Sequence, residues 1–404
     1  MDMQGLKPVL RKEDLDEKDP DTNKAQEDLD LQSRPSSESS TNVDDFPDGG
    51  LRAWAVVLGA FCTFFATAWI GSVARCMIFL PGVLVGRLSD LGYFQATFAT
   101  GSVLIIAGTF LIPVCTLYWH FLLCQGFMIG IGYGLTYGPC VTIITHWWKR
   151  KRALAFGVAS SGSAVGGVFF PVALRNIIPR VGFSWTLRIM GFILILTFGV
   201  ANLCLARRLP PHKAAGGLFG LHVFRNPAFS AWALSAFLGL FGAFNVGAYV
   251  TSSAVSYGIS SNIAFYFVAM YNGASLFGSV GLGFLADRLG AMNILIPTTI
   301  SIGIITIVWP FCGTVASLCV ISVLYGLTLG AFGALGLVPI AAMGGTEDLG
   351  RRMGIMNTVL GIGTLCGAPL AGLLTGTSLG FKGVGYFSGG MIFGGPYSWL
   401  CLDF

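Results

Sequence analysis

Gly283-Phe284-Leu285-Ala286-Asp287-Arg288-Leu289-Gly290 ends one long apolar run, and Gly86-Arg87-Leu88-Ser89-Asp90 ends another about 200 residues earlier. The offset holds for other landmarks. Gly126 and Gly130 with Pro139 are echoed by Gly326 and Gly330 with Pro339, and Arg152 with Gly167 by Arg352 with Gly367. A repeat of this length, carried on membrane-length hydrophobic segments, implies two related helical bundles with a path between them.

The composition agrees. The chain is 54% hydrophobic and 11% charged, with 56 glycines in 404 residues, whereas soluble domains carry roughly 25% charged residues. The charge is also unevenly placed. Residues 1–50 hold 14 of the 19 acids and 6 of the 24 bases, which leaves 5 acids for the remaining 354 positions. The first segment, rich in Asp, Glu, Lys, Ser and Pro, cannot bury enough apolar surface to offset chain entropy. Residues 1–50 are therefore expected to be a disordered acidic tail on the cytoplasmic side. No basic stretch followed by an apolar core stands at Met1, so no cleavable signal peptide is expected.

Several chemistries are excluded. The ten cysteines lie singly in apolar runs without a CxxC, and the four histidines show no HxxxH or HExxH spacing, so no metal or disulfide framework is expected. Gly130-Ile131-Gly132-Tyr133-Gly134 lies inside an apolar span with no strand before it, which argues against a dinucleotide site. No GxxxxGK[ST] is present, so no nucleotide cofactor is implied, and any work must draw on an ion or substrate gradient. Five acids are too few for a polytopic membrane enzyme. The basic run Lys149–Arg152 lies between two spans, which argues against nucleic acid as a partner.

A bilayer core about 30 Å thick takes about 20 residues of helix, and unpaired backbone groups in lipid make helices the default. Spans are expected near 96–113, 119–146, 152–174, 184–206, 228–256, 262–286, 291–311, 315–343, 353–376 and 384–401. Residues 52–86 break the pattern. From Arg52 to Gly86 is 34 positions, whereas the corresponding stretch from Ala228 to Gly283 is 55, so about one helix is missing relative to the repeat. Charge decides how the short stretch runs. With the tail cytoplasmic, 13 of the 18 bases of the body fall in cytoplasmic loops or at inner helix ends, in keeping with the positive-inside excess. That requires an even number of crossings before Arg87, so residues 52–86 are expected to form a helical hairpin, however short.

The expected fold is therefore all-α and integral to the membrane: about twelve spans in two six-helix bundles, 51–206 and 228–404, joined by a cytoplasmic linker at 207–227. Asp90 and Asp287 each follow a glycine (Gly86, Gly283) by four residues at the inner end of a span. Small residues allow close helix approach, and an acid there can meet a helix N-terminus or an arginine and latch one conformation. Arg288 completes the second copy, while Leu91 stands in the first where a base would be expected.

The duplicated Gly-x3-Asp loop resembles the loop motif of the major facilitator superfamily. A second stretch, Trp147-Trp148-Lys149-Arg150-Lys151-Arg152-Ala153-Leu154-Ala155-Phe156-Gly157, continuing to Gly162, Gly166 and Gly167, resembles the fifth-helix signature of the monocarboxylate porter family. Pro47-Asp48-Gly49-Gly50-Leu51-Arg52-Ala53-Trp54 is similar to that family's other signature, before the first helix. The wording is closest to the family's fungal branch. The resemblance implies alternating access in the major facilitator fold, a small organic solute such as a monocarboxylate, and protons as a coupling ion. In members of the family a lysine on the first helix and an Asp/Arg pair on the eighth handle proton and anion. Aligned through Gly283 and Asp287, that pair falls at Ser275 and Ser279.

Read from the residues themselves, the signatures are architectural. The basic cluster anchors a helix end, Asp48-Gly49-Gly50 makes a turn, Trp54 can sit at the membrane interface, and Gly157, Gly162 and Gly166 give a smooth packing face. Polar groups at membrane depth are costly and often functional. Tyr137, Asn245, Tyr249, Tyr271, Asn272, Asn357 and Arg188 are therefore candidates for the substrate path, with helix–helix hydrogen bonding as the alternative role for each. Arg75 either meets an organic anion or snorkels outward. The family resemblance, rather than these residues, implies the plasma membrane as the location, with the vacuolar membrane as the alternative. The competing function is a non-transporting, receptor-like or truncated relative.

Overall fold

The computed structural model describes residues 47–67, 72–206, 208, 221–343 and 349–400. The expected acidic tail up to residue 46, most of the 207–227 linker and the side chain of Arg75 lie outside the described residues.

Among the described residues every regular element is a helix, as backbone groups in lipid require. Helix α1 is Leu51–Ala66, and α2 comes in two segments, Ser72–Phe79 and Gly82–Asp90. Then follow α3 (Phe94–Val114), α4 (Tyr118–Trp147) and a 53-residue stretch, Arg152–Cys204. Gly182, at φ 78°, divides that stretch into α5 (152–181) and α6 (183–204). The second half holds α7 (Pro227–Ser256), α8 (Ser261–Leu289), α9 (Ala291–Phe311), α10 (Val315–Ile340), α11 (Leu349–Thr375) and α12 (Gly380–Leu400). Most limits fall within three residues of those expected from hydropathy. The end of α5 shifts most, to 181 from 174, where Gly182 breaks the stretch; the start of α11 moves to Leu349 from 353, with Gly350, Arg351 and Arg352 wound into its first turn and buried.

The packing repeats as the sequence does. Helix α2 lies on α4 as α8 lies on α10, and α3 lies on α4 as α9 lies on α10. Helix α7 packs on α11 and α12, as α1 packs on the Arg152–Cys204 stretch. The most extensive packing between the halves of the chain is α2 with α11 and α5 with α8, with α10 on the Arg152–Cys204 stretch and α11 on α4 adding smaller contacts.

The short 52–86 region does form two helical stretches, and the place of the missing residues is now visible. Helix α1 is 16 residues, about 24 Å long at 1.5 Å per residue, and Thr67 ends it. Its counterpart, Pro227–Ala243, ends at Phe244, after which Asn245–Ser256 continues the same helix past the break. Four residues separate Thr67 from Ser72, where 24 separate Phe244 from Ala269, the residue that aligns with Ser72 when Asp90 is set on Asp287. The first half thus lacks the counterparts of Asn245–Ser256, of the turn at Gly258 and of the opening turns of α8. What remains is tied down equivalently in both halves. The hydroxyl of Tyr133 on α4 donates to the carbonyl of Ala66 at 2.6 Å, and that of Tyr325 on α10 donates to the carbonyl of Ala243.

The two joining helix pairs are held at backbone distance. A Cβ at Gly86 would stand 2.2 Å from the carbonyl oxygen of Gly350, and one at Gly157 would stand 2.3 Å from that of Ser279. Gly86→Ala is therefore expected to lower stability by about 1–3 kcal/mol, the usual cost of overpacking. Gly281→Ala, where nothing lies within 4 Å of the added carbon, should not. Thermal unfolding of the two detergent-purified variants checks this, and equal melting temperatures would contradict the close approach.

Candidate functional site

Helix N-termini leave amides without intrahelical acceptors, and two of them here are met by carboxylates from the other half of the sequence. Asp287, in the last turn of α8, accepts from the amide of Ala153 through Oδ1 and from that of Leu154 through Oδ2, both at 2.9 Å. Asp90, at the end of α2, accepts from the amide of Arg351 in the first turn of α11 at 3.0 Å. Its Oδ1 lies over Gly350, where a Cβ would stand 2.2 Å away. Each acid sits at the positive end of a helix dipole. Arg288 turns its guanidinium over Phe284 on its own helix, 4.4 Å from the ring centre. The repeated arginines behave alike: Arg152 donates from Nε to the carbonyl of Trp148 at 3.1 Å, and Arg352 from Nη1 to that of Ile340 at 3.2 Å.

A third carboxylate serves the same end of α5. Asp48 adopts φ 40°, in the left-handed region. Its Oδ1 accepts from the amides of Lys149 at 2.6 Å, Arg150 at 2.8 Å and Lys151 at 3.4 Å. Asp48 thus caps the loop before α5 while Asp287 caps its first turn. The Asp48-Gly49-Gly50 turn and the Trp148–Arg152 cluster, which the sequence presents as separate motifs, form one contact. Trp54 adds to it, its ring edge-on to Trp148 at 5.0 Å, so it packs against protein as well as reaching outward. The glycines of the fifth helix face different neighbours. Gly157 meets α8, Gly162 meets the carbonyl of Phe61 on α1, and Gly166 is buried.

Between the halves lies a cavity of about 490 Å³. From the first half its wall is Phe64 and Thr67 on α1, Ile78 and Phe79 on α2, Tyr137 on α4, and Ser160, Ser163, Gly167 and Pro171 on α5. From the second half it is Trp232 and Phe244 on α7, Tyr271, Asn272, Ser275 and Ser279 on α8, and Phe332 on α10, with smaller residues between. None of these lining residues is Asp, Glu, Lys, Arg or His. Tyr137 stands edge-on to Phe64 and Phe79, at 5.3 and 5.4 Å.

Of the polar residues singled out from the sequence, Tyr137, Tyr271 and Asn272 come together on this wall. The others lie elsewhere. Asn245 is buried and donates to Ser388 Oγ at 2.7 Å, and Tyr249 donates to the carbonyl of Ala368 at 2.8 Å, so both join helices. Arg188 lies over the ring of Trp185 at 4.9 Å. Asn357 is buried on α11 beside Gly82 of α2. The serines of α5 were not singled out, yet Ser160, Ser163, Gly167 and Pro171 recur at helical spacing. Their three- and four-residue spacing was a faint signal, blurred by Ser161, which lies beside Ser160 but off the cavity wall.

Residues 53–317 match the model of the Major Facilitator Superfamily. The chain belongs to this superfamily. Among its relatives are the MFS transporter asaE of Aspergillus flavus, 32% identical over 91% of this chain and 90% of its own length. The Aspyridones efflux protein apdF of Emericella nidulans is 34% identical over 87% of this chain and 78% of its own. The Agnestins efflux protein AgnL12 of Paecilomyces divaricatus is 33% identical over 80% of this chain and 74% of its own. Among solved structures, the human organic anion transporter MFSD10 superposes with a TM-score of 0.72 at 12% identity, covering 86% of this chain and 98% of that one. The fucose transporter FucP in its outward conformation gives 0.62 at 13% identity, covering 85% and 97%. Family and fold are those of membrane-embedded transporters, which bind small molecules within the membrane.

The superfamily fold leaves the Asp48 cap as a feature that stability can report. Hydrogen bonds to a charged acceptor contribute about 1.5–3 kcal/mol, and Ala lacks both the acceptor and the tolerance for positive φ. Asp48→Ala should therefore melt clearly earlier in detergent. Asp48→Asn, which keeps one acceptor oxygen and the tolerance, should lose less. The reverse order would mean that the carboxylate is not the cap.

Proposed function

We propose that the chain is a secondary transporter that exports a small organic solute by alternating access, its two bundles (51–206 and 228–404) rocking about the central cavity. The observation that carries the reading is the cavity of about 490 Å³ between the halves, with Asp90 and Asp287 bridging them at the helix ends that bear the basic residues. In this reading the two carboxylates are latches that hold that side shut and release when it opens. The likeness to FucP in its outward conformation fits a state closed at the basic end. Export is favoured over uptake by relatives described as efflux proteins.

On the positive-inside excess the basic end faces the cytoplasm, which puts the amino terminus there too. The plasma membrane suits an exporter, with the vacuolar membrane as the alternative. The two signatures support a place in the monocarboxylate branch. The serines at 275 and 279 weigh against its carboxylate and proton chemistry.

The test is side-specific labelling. Gly333 lines the cavity, and nothing lies within 4 Å of a carbon added to it, so Gly333→Cys in a background freed of native cysteines is a well-tolerated reporter. In sealed vesicles of known orientation, a membrane-impermeant maleimide should react mainly from the side opposite the basic ends. Asp90→Asn with Asp287→Asn weakens charge-assisted bonds worth about 1.5–3 kcal/mol each. Labelling from the basic side should then rise about tenfold or more. Labelling that ignores both substitutions, or that occurs from one side in every variant, would rule out the latch.

A further inference from the structure

We infer that the cavity takes an uncharged, ring-bearing solute rich in hydrogen-bond donors, and that it discriminates against carboxylates; this rests on the transport reading above. Two features of the wall carry the inference. The first is aromatic surface from both halves, with Phe79 and Tyr137 from the first and Trp232 and Phe332 from the second. Such walls suit flat rings, and a volume of about 490 Å³ is that of a drug-sized site.

The second feature is the direction of the wall's hydrogen bonds. Ser160 donates to the carbonyl of Gly157, Ser163 to that of Ser160, Ser275 to that of Asn272 and Ser279 to that of Leu276, at 2.8–3.1 Å. Asn272 likewise commits Nδ2 to the carbonyl of Val268 at 2.9 Å. A hydroxyl whose proton is committed keeps its lone pairs, and the Asn272 amide keeps its carbonyl together with the second of its two N–H donors. What this part of the wall offers a solute is therefore mainly acceptors.

An ionised carboxylate brings only acceptors. It would leave its hydration shell for a wall whose lining residues supply no countercharge and whose serine donors are committed, so that neutral donors such as the Tyr137 hydroxyl are all that offset the desolvation cost. A phenol, an alcohol or a secondary amide brings the donors that match. Ser275 and Ser279 sit on this wall where the resemblance places a charged pair, so the substitution of charge by hydroxyl falls at the place that meets the solute.

The experiment compares three probes of similar shape on the full chain carrying Gly333→Cys: 4-phenylphenol, 4-methoxybiphenyl and biphenyl-4-carboxylate. The readout is protection of the introduced thiol from maleimide, which reports occupancy of the cavity rather than partition into lipid or detergent. The phenol should protect at concentrations at least tenfold lower than the carboxylate and several-fold lower than the ether. Asn272→Leu, which removes one acceptor worth about 1 kcal/mol, should weaken the phenol about fivefold and leave the ether nearly unchanged.

Equal or better protection by the carboxylate overturns the proposal. So does carboxylate protection that disappears in Arg75→Gln, since it would assign an anion site to α2. Protection by none of the three, in a protein that still switches labelling side, rejects the solute class and leaves alternating access standing. Phenol-selective protection without any switching would sink the transport reading alone.

Discussion

A carboxylate placed on the free amides of a helix from the opposite half of the chain is the contact on which the arrangement turns. Packing in a bilayer has little hydrophobic drive, because lipid tails are as apolar as the side chains. Two similar bundles could therefore slide or separate at small cost unless something directional registered them. Asp287 on Ala153 and Leu154, and Asp90 on Arg351, supply that direction at two equivalent places. Each bond uses donors that a helix end leaves unpaired in any case. The contact therefore costs little elsewhere, as the proposed latch requires. The glycines beneath it, Gly86 against Gly350 and Gly157 against Ser279, make the approach close enough for the short aspartate side chain to span.

In the proposed latch, Asp48 gives one end of α5 a cap that does not depend on Asp287. Three amides before the helix bond to Asp48, which belongs to the same half of the sequence. The cap from the same half and the cap from the other half are adjacent, with Arg152 anchored to Trp148 between them. The two signatures of the first half gain a physical account from this. In this chain the turn before α1 supplies the acceptor, and the loop that carries the basic cluster before α5 supplies the backbone donors.

The helices, their order and the place of the shortened stretch were legible in the sequence, because each depends on hydropathy or on counting from a repeated landmark. The expected limits 291–311 and 228–256 differ from Ala291–Phe311 and Pro227–Ser256 by at most one residue. The fine sorting of polar residues was not legible. Tyr137 and Tyr249 look alike in sequence, each a tyrosine in an apolar span, yet one lines the cavity and the other bonds the carbonyl of Ala368. Which face of a helix meets the cavity is set by its rotation against neighbours, and a nearly uniform apolar span carries almost no periodicity to report that rotation. Asp48 was hidden for another reason. Its partners are backbone amides about a hundred residues away, and amides leave no mark in a residue pattern.

The missing residues and the neutral wall bear on each other. Among the described residues, the carboxylate contacts lie at the basic ends of α1, α2, α5, α8 and α11, and the shortening falls at the far end of α1 and the start of α2. The contacts proposed as latches are thus untouched, while α1 stops at Thr67, where its counterpart α7 continues through Asn245 to Ser256. A charged solute moving past a wall without charged side chains would need countercharges held in place along the way, and it would feel the membrane potential at about 2.3 kcal/mol per charge per 100 mV. An uncharged solute feels none of that field, and its passage needs only acceptors to replace water and rings to replace lipid. A cavity walled by serine, asparagine and aromatic residues provides both, and it does so from α4, α5, α8 and α10, helices that the shortening leaves whole.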